Sequence, residues 1–116
     1  MKIFHIFIIL VAATTANADS TLGEMSINSK CEAWKSRASD LVFEYFSGVT
    51  KEEQYQKIDV VTENDKETNL TMKRQVDGVY EHIPFVQDIK MRNYYQEGYA
   101  QSVYKLCVDR YINAKP

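Results

Sequence analysis

The chain has 116 residues, 26% of them charged, and its 14 Lys and Arg against 16 Asp and Glu give a formal net charge of −2. That length holds one domain. The charges are interspersed, with no Lys/Arg stripe to neutralise phosphates, so nucleic acid is excluded as a partner.

The first stretch, MKIFHIFIILVAATTANA, reads as a signal peptide over residues 1–18. Lys2 supplies the positive start, Ile6 to Ala13 the short apolar run, and Ala16-Asn17-Ala18 the small-x-small cleavage site. The apolar run is shorter than the roughly 20 residues a membrane anchor needs. Cleavage before Asp19 predicts an exported chain, periplasmic or secreted, with no membrane span. Ser20 to Ile27 is polar and without pattern, and residues 19–28 are expected to form a flexible tether ahead of a helical domain over 29–113.

Export changes the meaning of the two cysteines. Outside the reducing cytosol, a single pair in a small domain reads as a disulfide, here Cys31 with Cys107. Closing a loop that spans most of the domain stabilises by roughly 4–5 kcal/mol on the chain-entropy account. Neither cysteine belongs to a C-x-x-C redox motif, and two lone cysteines do not make a metal site.

Four helical segments are expected in chain order. Ser29 and Glu32 are spaced as a capping box, and Cys31, Trp34, Ala38, Leu41, Val42, Tyr45 and Phe46 recur on one face, with Phe43 off it. Gly48 supplies the left-handed residue that ends such a helix. Thr50 with Glu53 caps a second, short segment through Tyr55 and Ile58. The charged, turn-prone run VVTENDKETN then reads as a solvated connector; it lacks the glycine of a calcium loop. Asn69-Leu70-Thr71 is a glycosylation sequon that matters only in a eukaryotic host.

The third segment carries Met72, Val76, Val79, Tyr80 and Ile83 at helical spacing, and Pro84 stops it. The last helix, about Asp88 to Ile112, carries two stripes. Ala100, Tyr104, Cys107, Val108 and Tyr111 should meet the first helix through the disulfide. Met91, Tyr95, Tyr99, Val103 and Leu106 should meet the third. The fold class is therefore all-α, a bundle of three to four helices stapled between the first and last by one disulfide.

Function is less legible. His82 is the one histidine left after cleavage, and no Ser or Cys nucleophile motif surrounds it, so the chain is read as a non-enzyme with no cofactor and no metal site. Five of the eight tyrosines lie between Tyr94 and Tyr111, and tyrosine is enriched at protein interfaces. Phe43, Tyr94, Tyr104 and Tyr111 are therefore the expected contact residues for a protein partner in the envelope or extracellular space. The resulting expectation is a protein that binds or inhibits another cell-envelope protein.

The leader, together with Cys31, Trp34, Ala38, Gly48, Tyr80, Pro84, Tyr99 and Cys107, resembles small uncharacterised exported proteins of bacteria and their phages. The resemblance implies a helical fold and an exported address, but no activity. In size, export signal and single long-range cysteine pair, the chain also looks like the acid-activated periplasmic chaperones of enteric bacteria. That likeness implies an alternative function, an acid- or stress-responsive chaperone.

Overall fold

The computed structural model describes residues 19–113, with side chains from Ser26 onward. The signal-peptide reading falls on residues 1–18, outside the described residues. Four helices follow one another: α1 (Asp19–Phe46), α2 (Lys51–Val61), α3 (Lys66–His82) and α4 (Ile89–Asn113). None of them is long and apolar enough to cross a membrane.

Helix α1 begins well before Ser29. The segment 19–28, expected as a tether, has helical backbone, and Ser29 is an interior residue instead of a cap. The physical reason is the lack of a stop: DSTLGEMSIN contains no proline, so the helix continues upstream without interruption. The other end is as the sequence predicts. Gly48 has φ +96°, Val49 N–H donates to the Glu44 carbonyl at 3.0 Å, and Gly48 N–H donates to that of Tyr45 at 3.2 Å. This paired closure satisfies the last carbonyls of α1 and reverses the chain.

Thr50 and Glu53 form the expected reciprocal cap of α2. The connector that follows is shorter than predicted. Asp65 accepts from Thr68 N–H at 3.0 Å and starts α3 at Lys66, so most of the charged run is already helix. The sequon asparagine lies inside α3 and ties it back to α2: Asn69 Nδ2 donates at 2.9 Å to both Asp59 and Thr62. At the far end Ile83 is extended (φ −93°, ψ 120°), as the residue before Pro84 must be. Asp88 then caps α4 by accepting from Met91 N–H at 3.0 Å.

The helices assemble as two antiparallel pairs. In one, Cys31 is bonded to Cys107 across a Cα separation of 5.5 Å, Gln96 donates to Ser39, and Arg92 stacks on Phe46, so α1 and α4 run side by side over most of their lengths. In the other, Lys73 meets Asp59 and Lys51 meets Asp77 between α2 and α3. The pairs join through one apolar cluster: Leu41, Val42, Tyr45 and Phe46 of α1, Ile58 of α2, and Val76 and Val79 of α3. Tyr45 donates to the Ile83 carbonyl, and its ring meets that of Tyr80 edge-on at 4.7 Å. Burial raises the pKa of both tyrosines, since a phenolate could not be solvated there.

Helix α4 divides its two stripes unevenly. Ala100 is buried against α1, and Tyr95 and Tyr99 pack on the core, with the Tyr99 hydroxyl directed at the Gln75 carbonyl of α3. Leu106, expected on the same covered stripe, is 65% exposed. It lies beyond the stretch of α4 that packs on the core.

Candidate interaction surface

The surface built by α1 and α4 begins with small residues. Cys31, Ala38 and Ala100 are buried between the two helices, so their axes approach closely and large side chains are displaced outward. Gln96 Nε2 fixes the register by donating to Ser39 Oγ at 2.9 Å and to its carbonyl at 3.1 Å. Together with the disulfide and the Arg92–Phe46 contact, this sets Phe43 and Tyr94 at the same level of the pair. Phe43 is 60% exposed and Tyr94 is 68% exposed.

An open cleft of about 810 Å³ runs along this pair, with Tyr94 in its wall. Its remaining lining is small or polar, including Ser36, Ser39, Gly98, Glu32, Asp40 and Glu97. The four expected contact residues therefore divide in two. Tyr104 and Tyr111 are half-buried, and each lies under a lysine of α1: Lys35 Nζ is 5.5 Å from the Tyr104 ring centroid and Lys30 Nζ is 5.6 Å from that of Tyr111. Their faces already serve the α1–α4 contact. Phe43 and Tyr94 are mostly exposed, although the Tyr94 ring also meets that of Tyr95 at 5.5 Å.

Two exposed apolar residues escaped the pattern reading. Phe85 is 51% exposed and Ile89 is 66% exposed, both at the α3–α4 junction. Phe85 still touches Tyr45 and Phe46 with one edge, at centroid distances of 5.5 and 5.8 Å. Its position after Pro84 carries no helical period, so sequence spacing could not place it. His82, the one histidine left in the sequence after the leader, is the exposed last residue of α3.

The α1–α4 surface carries two mostly exposed aromatic side chains, Phe43 and Tyr94, the latter in the wall of a shallow polar cleft, on helices joined by a covalent bond. No family model, curated protein or solved structure matches the chain.

Proposed function

We propose that this chain is a non-catalytic exported protein that binds or inhibits another protein of the cell envelope through the aromatic side of α1 and α4. The observation that carries the reading is the pair Phe43 and Tyr94, both mostly exposed at one level of a disulfide-joined helix pair. Large rigid aromatic side chains on a preorganised frame lose little entropy on association, and such residues dominate binding energy. The leader sequence supports the exported address.

Affinity capture of the oxidised protein from its own compartment, followed by titration of the captured partner, tests the proposal. Phe43→Ala and Tyr94→Ala should each weaken binding roughly tenfold or more, the effect of truncating a contact residue. Tyr104→Ala and Tyr111→Ala should act mainly on stability. Binding that survives the Phe43→Ala/Tyr94→Ala double variant, or no stoichiometric partner at all, would overturn it.

A further inference from the structure

Helix α2 differs from its three neighbours in what holds it. Its fully buried residues are one polar and one apolar, Gln54 and Ile58, with Tyr55 partly packed on the core. All four ion pairs among the described residues have one partner in α2: Lys51 with Asp77 at 3.1 Å, Lys51 with Glu81 at 3.7 Å, Lys57 with Glu44 at 3.1 Å, and Asp59 with Lys73 at 2.8 Å. The buried Gln54 is itself bound by polar contacts, donating to Glu44 at 3.0 Å and to Tyr80 Oη at 3.4 Å.

The geometry points to α2 as a charge-latched strap that undocks while α1, α3 and α4 stay assembled, uncovering the apolar seam at Leu41 and Met72. That seam is already marked by a crease of about 230 Å³ between α1 and the α2–α3 pair, lined by Leu41, Ile58, Val61 and Met72. The groups facing the latch come from both neighbours. From α1 they are Glu44 on Lys57 and Gln54. From α3 they are Asp77 and Glu81 on Lys51, Asp77 on Tyr55, and Lys73 and Asn69 on Asp59. The hydrogen bonds from Lys73 and Asn69 hold Asp59 below its ordinary pKa, and those from Tyr55 and Lys51 do the same for Asp77.

Exposed ion pairs are individually weak and screened by salt, but beside them α2 places only one apolar side chain, Ile58, fully in the core. An 11-residue helix is marginal alone, so undocking also melts it. The apolar contact of Val76 and Val79 with α1 and the Cys31–Cys107 bond keep the other three helices together. The latch therefore makes this opening local.

Amide exchange on the oxidised full chain at pH 7 tests this. Asp59→Asn with Asp77→Asn removes two ion pairs and weakens two hydrogen bonds, and exchange across residues 51–61 should quicken at least about fourfold, at about twofold per lost ion pair. Raising NaCl to 1 M should act in the same direction on the native sequence. Exchange in 38–46 and 76–82 should stay unchanged, and the swap Asp59→Lys with Lys73→Asp should recover part of the α2 protection that Asp59→Lys alone loses. Unchanged exchange in 51–61, or equal loss of protection in all four helices, would overturn the strap.

Discussion

The two ends of the α1–α4 pair are held by different forces. Where α1 approaches its C-terminus, Leu41, Val42, Tyr45 and Phe46 are buried beside Ile58, Val76 and Val79, so three helices share one apolar cluster. Toward the disulfide, the buried residues between α1 and α4 are the small Ala38, Ala100 and Cys31. Small residues remove little apolar surface from water, so the hydrophobic effect supplies little there. The comparison shows a domain whose size permits one good core, with covalent chemistry extending it along the helix pair.

The largest expected effects come from cutting each support separately. Cys31→Ala with Cys107→Ala should lower unfolding free energy by about 4 kcal/mol, read from urea melts, as expected for a long closed loop. Exchange should rise first near residues 26–34 and 104–113, far from the core. Leu41→Ala, at a side chain only 1% exposed, should cost about 3 kcal/mol and loosen α2 and α3 with α1. If disulfide removal instead loosens the core first, the division between the two ends fails.

Acid and base should also act on different places. Glu53, Asp59, Asp65 and Asp77 are held below their ordinary pKa: Glu53 and Asp65 by cap hydrogen bonds from Thr50 and Thr68, Asp59 by Lys73, and Asp77 by Tyr55. All four lie on α2, on α3 or at the cap of α3. A depressed carboxylate contributes stability that is present above its unfolded pKa of about 4 and is lost as pH falls through the folded value. Loss on acidification should therefore begin below about pH 4, in α2 and the start of α3. Tyr45, Tyr80 and Tyr99 are shifted upward by burial, and their contribution is present below the unfolded pKa of about 10 and lost as pH rises through the folded value. Tyr55, raised by its bond to Asp77, adds an alkaline effect of the same sign within the α2–α3 pair. Exchange that spreads evenly over the molecule in both acid and base would erase the distinction.

Much of the core was legible in the sequence because its signals are local. The α1 stripe, the Gly48 stop, the Thr50–Glu53 cap and the Pro84 stop each depend on residues within a turn or two, and each appears in the fold. What periodicity could not show was how far each neighbour extends. Leu106 continues a stripe that Tyr95 and Tyr99 bury, yet it stands exposed. The start of α1 was missed for a related reason: Ser29 offers a cap, but a cap forms only where the preceding chain leaves the helix. At the candidate surface, Phe43 and Tyr94 were legible as off-core aromatics. Tyr104 and Tyr111 were legible as part of the stripe that meets α1, but not that Lys35 and Lys30 reach across to cover their rings, because that depends on side chains of another helix.

Those lysines supply the smallest effect. Lys35 sits over Tyr104 and Lys30 over Tyr111, so the disulfide end of the pair has a noncovalent hold besides its small residues. An exposed cation–aromatic contact is worth about 0.5–1 kcal/mol. In the oxidised protein Lys35→Ala should therefore shift the urea midpoint only slightly, because the Cys31–Cys107 bond keeps the helices adjacent in the unfolded chain as well as the folded one. The local readout should be larger: the Tyr104 ring loses its cover, and its ring proton shifts should move toward those of a solvated tyrosine. A Lys35→Met variant retains the apolar stem and removes only the charge. If Met restores the midpoint and the ring shifts, the stem's packing holds the helices there, whereas recovery by Arg but not by Met assigns the contact to the cation.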